Sequence, residues 1–513
     1  MNSYISKILL LFILSLALNI QAQNEEDGLR YAMDDVTGTA RFTGMSGAFS
    51  SLGGDMSAVG LNPAGLTTFS TNRLSAAYSF FGLKNSTDYF NNSAHRNYNS
   101  FDDKFFDFDN LGGALVYKSD TDDWNKIALG FNYNKSADYG NNYRMRGLNT
   151  NGNSVTDYFI SQAQGVSLGD IKVGSNETIA DVYDWLGTNI GYNAQQAFLG
   201  YQSYILNPVD PNDDNNIDYT SSASFTNVQH DNKINSSGDK SFMDFSFAGT
   251  YKKHLQLGAS LTFYTIDYKE HNSIFETGYN STSDLKSLKL SNTLRVEGSG
   301  VQLKMGAIYK FDNNLRLSLA YHTPQWLKIE EFMKQSVHTE FNNGDVVDVA
   351  PDIENSFAPY RVISPSKVIA GASYVVGKKG IISADYTYQD FSNLHFKEID
   401  SDADTDYFDG VNDYISNHFQ AVHKVNIGGE LRLSELSLRA GTFMSTSPYK
   451  QNDKLYAPKG YSAGLSYDFD GVVVDFAWMH SDMQMQKTVL TLPDTATLNQ
   501  IKNKFVLGVR YDF

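Results

Sequence analysis

Apolar and polar side chains alternate strictly in one segment after another of this chain. In the last segment Phe505, Leu507, Val509, Tyr511 and Phe513 lie on one side, and Val506, Gly508, Arg510 and Asp512 on the other. A period of two residues is the mark of a strand whose faces meet different surroundings. The same zigzag occurs at Tyr461–Phe469, Val425–Leu433, Leu315–His322, Val301–Phe311, Leu255–Phe263 and Ile127–Asn134. About 14 such segments are found, near 72–83, 110–118, 125–137, 241–252, 255–270, 290–311, 314–329, 363–376, 379–394, 420–432, 435–447, 459–469, 472–485 and 502–513.

The polar positions include Lys304, Glu430, Arg432 and Arg510. A Lys or Arg facing lipid at mid-bilayer costs roughly 2–4 kcal/mol, so these side chains must face a wet or ion-paired interior. The apolar positions then meet lipid. Connections sort by length: 119–124, 253–254, 312–313, 377–378, 433–434 and 470–471 are short, and 84–109, 138–240, 271–289, 330–362, 395–419, 448–458 and 486–501 are long. Short turns at one end and long loops at the other are the habit of an outer-membrane barrel. The expected fold is all-β, a transmembrane antiparallel barrel of about 14 strands.

The N-terminus fits export. Lys7 precedes an apolar run from Ile8 to Leu18, and small Ala22 closes the stretch before Gln23. This reads as a signal peptide over 1–22. The run is too short for a spanning helix, which needs ~20 residues. Residues 23–70 do not alternate and are rich in Gly and small side chains, which suits a plug within a wide lumen. The barrel is then 71–513, with 138–240 as a long external loop.

Composition narrows the chemistry. Net charge −17 argues against a nucleic-acid-binding protein, which needs a basic face to neutralise phosphates. The absence of Cys excludes disulfides, thiolate metal sites and a lipid-anchored N-terminal cysteine. With 32 tyrosines and 33 phenylalanines the chain is unusually aromatic, a composition that membrane barrels share with some large secreted β proteins. The glycines of 44–65 form neither GxGxxG nor GxxxxGK[ST], so no nucleotide cradle is read there. Asp210–Asn216 and the Asp402, Asp404, Asp406, Asp409 run are oxygen-rich but lack the spacing of a calcium loop, and read as solvated loops. His322 and His480 lie near strand ends outside any metal-ligand spacing, as interface residues. No cofactor is called for and nothing requires catalysis.

The block Gly53-Gly54-Asp55 followed by Asn62-Pro63-Ala64-Gly65 resembles the N-terminal hatch of the FadL/TodX family of outer-membrane transport proteins. Leu317–Pro324, Ser364-Pro365-Ser366-Lys367, Leu438-Arg439-Ala440-Gly441 and Ser447-Pro448-Tyr449 are similar to further family positions. The resemblance covers the mature chain. It implies passive uptake of hydrophobic small molecules such as long-chain fatty acids or aromatic hydrocarbons. It also implies that Asn62, Pro63, Ala64 and Gly65 form a hatch turn touching the ligand path. Ile179, Val182, Tyr183, Leu186 and Ile190, then Ala197, Phe198, Tyr201 and Ile205, fall at helical spacing. Leu186, Ile190, Phe198 and Tyr201 are expected either to line an external capture groove or to pack on each other. The chain departs from the family in the length of 138–240. Expected partners are a hydrophobic ligand, outer-membrane lipid, the barrel assembly machinery during biogenesis and a protein bound through the external loops. A non-transporting barrel serving protein secretion or assembly is the rival reading, and a membrane hydrolase a third.

Overall fold

A computed structural model of the chain describes residues 24–90, 99–119, 123–399, 408–490 and 492–513. The signal-peptide reading, and Asp402, Asp404 and Asp406, lie outside the described residues.

Fourteen strands form one closed antiparallel wall. They are β1 (Arg73–Asp88), β2 (Asn99–Lys118), β3 (Trp124–Asp138), β4 (Val228–Tyr251), β5 (Leu255–Thr277), β6 (Leu285–Lys310) and β7 (Leu315–His322). There follow β8 (Lys367–Val376), β9 (Gly380–Asp390), β10 (Ala421–Leu433), β11 (Leu436–Ser445), β12 (Lys459–Asp468), β13 (Val472–Thr488) and β14 (Thr495–Asp512). Closure is made by β1 on β14, in register from Arg73↔Asp512 to Asp88↔Thr497. Each expected segment contains a strand, and the expected short connections at 253–254, 312–313, 377–378, 433–434 and 470–471 are tight reversals between paired strands, while 119–124 lies partly outside the described residues.

Burial follows the alternation. On β5 Leu257, Leu261 and Phe263 face outward, while Gln256, Ser260 and Thr262 are buried. Lys304 and Glu430 lie inside, 2% and 4% exposed, so the charged positions do avoid lipid.

The strands of β4, β5 and β6 are longer than the sequence pattern indicated, at 24, 23 and 26 residues. At about 3.3 Å per residue each runs roughly 80 Å, far more than the ~10 tilted residues a bilayer needs. The expected loops 84–109, 138–240, 271–289 and 330–362 are therefore shorter than read. Strand Asn141–Asn149 continues along β4, and Trp326–Phe341 along β6. The reason is a reversal of phase. Above Phe263, the outward residues of β5 become Thr265, Asp267 and Lys269, and the buried ones become Tyr264, Ile266 and Tyr268. Trp326, opposite Val301, stands at the same level, and above it Leu327 and Ile329 are buried while Lys328 is exposed. Beyond the bilayer the outside of the wall meets water and the inside encloses apolar side chains.

Those inward side chains pack with three external helices, α4 (Val155–Ala163), α5 (Ile179–Asn189) and α6 (Tyr192–Gln202). Capping boxes start two of them, Ser154 with Asp157 and Thr178 with Asp181. The cap is tied to the wall by Tyr183 Oη donating to Gln335 Oε1 (3.1 Å) and Val155 N to Glu276 Oε2 (2.8 Å). Ahead of β1, residues 24–72 sit within the barrel as α1 (Glu25–Ala32), α2 (Ala40–Gly44), α3 (Met56–Leu61) and a 3-10 turn, Pro63–Thr68.

Candidate functional site: a lumenal path beside an open seam

The N-terminal segment is held to the inner wall by polar bonds at several levels. Ser50 N and Oγ donate to Asp385 at 2.8 and 2.6 Å, and Asn426 Nδ2 donates to Ser46 O at 2.6 Å. Asn62 caps the 3-10 turn by accepting from Ala64 N (3.1 Å), and its Nδ2 donates to Ser50 O (2.8 Å). The wall makes room for this turn with glycine. A Cβ on Gly258 would lie 2.5 Å from Ala64 N and from the Pro63 carbonyl carbon. Asn62, Pro63, Ala64 and Gly65 are thus buried against β5 and β6 near the short-turn end. Their neighbours Gly60 and Leu61, not these four, line the inner of the two cavities described below.

Two cavities lie on either side of Met33–Asp35, which lines both. The outer one, about 190 Å³, is lined by Leu29, Leu83, Tyr139, Tyr143, Tyr456 and Met485 among others. The inner one, about 160 Å³, includes Phe42, Phe242, Lys304, His322, Lys367 and Lys424. Asp34 fixes the strap between them. Lys367 Nζ approaches Oδ2 at 2.7 Å, Lys240 Nζ approaches Oδ1 at 3.0 Å, and Ser136 Oγ donates to Oδ1 at 2.5 Å. Burial alone would raise the Asp34 pKa, but the two ammonium groups outweigh it and hold the carboxyl well below the usual range. Asp35, paired with Lys502 at 3.1 Å, is lowered in the same way against its burial. Lys240 is fully buried, and Tyr31 O and Gln325 Oε1 complete its acceptors, each at 2.8 Å. Lys424 makes no ion pair among the described residues; its Nζ lies 5.5 Å from the Phe443 ring centre, at the inner cavity.

His322, expected at the membrane interface, is buried in the lumen. Its Nε2 lies 2.9 Å from Leu61 O, because the polar face of β7 points at the N-terminal segment.

The wall has an unzipped seam. β2 and β3 pair from Lys118↔Lys126 only as far as Asn110↔Asn134. Above that point Asn99–Asp107 stay paired with β1, while Lys135, Ala137 and Asp138 pair with β4 across a bulge. The chain then turns inward, and Asn85 Nδ2 of β1 donates to Asn141 Oδ1 (2.6 Å) and Asn142 O (2.7 Å). The Lys135 ammonium bridges the seam to Asp107. Phe105 stands opposite Gly140, with its Cε1 3.0 Å from where a Cβ would be. Directly behind this edge lies the outer cavity, to which Ala137, Asp138, Tyr139 and Gly140 contribute. Outside, Tyr78, Phe106, Phe108 and Tyr133 form a contiguous aromatic cluster at centroid distances of 5.0–5.8 Å.

In the cap, Leu186 and Phe198 are fully buried in the apolar cluster, Tyr201 is half-buried against it and Ile190 is 46% exposed. The four do not meet in one open groove; two serve the packing between α5 and α6. Asp34, Asp35, Lys367 and the seam escaped the sequence reading. Adjacent carboxylates in an apolar segment, and inward lysines on separate strands, were the available signal for the first three. Among the described residues, no group of three or more His, Asp or Glu is placed to hold a metal ion.

A closed fourteen-stranded wall with apolar side chains toward lipid, a filled lumen and a lateral seam defines an outer-membrane transport barrel. The family model described as outer membrane protein transport protein (OMPP1/FadL/TodX) matches residues 219–510, more than half of the chain, and the protein belongs to that family. Among solved structures, a FadL homologue of Pseudomonas aeruginosa is similar at 11% identity and TM-score 0.52, over 94% of this chain and 100% of the other. The toluene transporter TodX of Pseudomonas putida is similar at 14% identity and TM-score 0.50, also over 94% and 100%. No curated protein matches the sequence.

Proposed function

We propose that the protein passes hydrophobic small molecules from the cell exterior into the outer membrane, through the outer cavity and the β2–β3 seam. The observation that carries this is the juxtaposition of an aromatic- and methionine-lined cavity with a stretch of β2 edge that, among the described residues, pairs with no strand. An apolar molecule gains about 25 cal/mol for each Å² of surface withdrawn from water, so it stays in such a cavity until lipid is offered sideways. The toluene transporter supports the same class of ligand by its description.

Residues 23–70 act as a hatch following removal of the signal peptide. Asn62-Pro63-Ala64-Gly65 serve it as a rigid footing rather than as a ligand contact, and the Asp34 strap is the part that moves when the path opens. The inner cavity, with Lys424 beside Phe443 and in no ion pair among the described residues, favours ligands that carry one anionic group, such as a long-chain fatty acid, over plain hydrocarbons. No catalytic step is required.

Uptake of labelled oleate and toluene by cells with and without the gene tests this reading. Equal uptake of both in the two strains would refute it.

A second reading draws on the exposed apolar side chains of the cap, Trp185 (48%), Tyr204 (60%) and Val209 (63%). Such residues suit a protein partner bound from outside. A stoichiometric partner retained in detergent, with normal uptake on its removal, would favour this second role.

A further inference from the structure

Half of the chain's twelve arginines gather at the short-turn end of the lumen, in a chain whose net charge is −17. Arg41, Arg73, Arg316, Arg432 and Arg510 line a cavity of about 420 Å³ there, and Arg439 stands behind them. The cavity lies between the Leu52–Gly54 turn of the hatch and the first or last residues of β1, β7, β10 and β14.

The carboxylates present approach only some of these guanidinium groups closely. Glu430 is shared by three guanidinium groups, those of Arg41 (2.9 Å), Arg432 (2.7 Å) and Arg439 (2.7 Å). Asp475 accepts from Arg439 at 2.8 Å and reaches Arg510 only at 3.7 Å. Arg73 has its own partner in Asp512, at 2.5 Å. Arg316 has no carboxylate within 4.0 Å among the described residues, and its one protein acceptor is Leu52 O, at 2.9 Å. Arg510 Nε is buried without any hydrogen-bond partner. Glu435 and Asp468 line the cavity but form no ion pair among the described residues.

Anchoring the hatch explains only part of this. Arg41 and Arg73 each donate one N–H to Gly54 O at 3.0 Å, and Arg316 one to Leu52 O. Carbonyl oxygens satisfy donors but do not cancel charge. A guanidinium carries five N–H donors in a planar fork suited to two-oxygen acceptors, and several remain unused here. Like charges held together in a partly enclosed polar space repel, and a bound counter-anion relieves that repulsion.

We propose that this vestibule is a binding site for an oxyanion, a phosphate or a carboxylate, with Arg316 and Arg510 as its principal donors. The anion bridges the wall to the Leu52–Gly54 turn, so its occupancy bears on how firmly the hatch is seated. The site is separate from the outer cavity and the seam, and it stands whichever hydrophobic ligand uses them.

Isothermal titration of the full-length, detergent-held barrel with inorganic phosphate at low salt tests the proposal. Saturable binding is expected, weakened at least tenfold in Arg316→Gln and in Arg510→Gln. Arg316→Lys, which keeps the charge but loses the fork, is expected to fall between. Heat-modifiable gel mobility establishes that each variant has assembled, and either Gln variant alone carries the test if the other does not fold. Displacement of phosphate by decanoate but not by decanol would assign the site to the head group of an amphiphile; failure of decanoate to displace phosphate would assign it to small free anions. Absence of saturable phosphate binding, or equal affinity in the wild type and the Gln variants, overturns the proposal.

Discussion

Gly306 on β6 and Asn62 in the N-terminal segment are in close contact: a Cβ on Gly306 would lie 1.9 Å from Asn62 Oδ1. The Asn62–Gly65 turn is seated on bare backbone, with Asn62 Nδ2 also 3.4 Å from Ala307 O. Only glycine lets the wall approach the turn so closely.

Gly306→Ala is therefore expected to push Asn62 off its seat. Overpacking of this kind costs about 1–3 kcal/mol. The measurable outcome is a lower unfolding temperature together with higher conductance in planar bilayers, as the footing of the hatch loosens. Wild-type conductance in a folded Gly306→Ala barrel would show that the footing does not control the lumen.

The seam makes a prediction about transport without touching the lumen. Asp107 and Lys135 face each other across it, and the chain contains no cysteine, so a double substitution Asp107→Cys/Lys135→Cys gives one addressable pair. Joining the two thiols with a short bifunctional reagent is expected to reduce oleate or toluene uptake at least tenfold. The untreated double variant should transport normally. Undiminished uptake after cross-linking would point to axial release.

Lys424 separates anionic from neutral ligands. Lys424→Met is expected to weaken oleate binding about tenfold, equivalent to ~1.4 kcal/mol, and to leave oleyl alcohol unchanged. Equal loss for both would mean that Lys424 supports the cavity wall and does not read the head group.

The strap carries a pH dependence whose sign follows from Asp34. Its carboxyl is depressed by Lys240 and Lys367 despite burial. Its contribution to hatch stability is therefore complete above the unfolded value, ~3.9, and is lost as pH falls through the lower folded value. Between pH 5 and 8 hatch stability should be flat, and Asp34→Asn should lie below the wild type throughout. Below about pH 4 the gap should begin to close, and it should vanish only once the pH is under the lower folded value. Protease protection of the N-terminal segment against pH measures this; a wild-type transition near neutrality would exclude Asp34 as the group responsible.

How much of this was legible beforehand depended on which faces met lipid. Within the bilayer, outward Leu261, Leu303, Leu319 and Leu507 alternate with inward polar groups, and the strands, their number and the turns followed from that contrast. Asn62-Pro63-Ala64-Gly65 form a capped 3-10 turn, a local device that the sequence carries by itself. Leu186, Phe198 and Tyr201 lie on helices and Ile190 follows the end of one, but helical spacing does not say whether an apolar face meets a ligand or another helix.

Two things were decided by tertiary structure. The alternation persists above Phe263 with its phase reversed, Tyr264, Ile266 and Tyr268 turning inward, because the solvent outside changes from lipid to water. One period written twice in opposite phase does not announce where the membrane stops. The lateral seam, the Asp34 strap and the arginine vestibule depend on residues from distant strands meeting at one level of a closed wall. Sequence determined each strand by its local period; barrel closure and register, which are properties of all fourteen together, determined what those strands enclose.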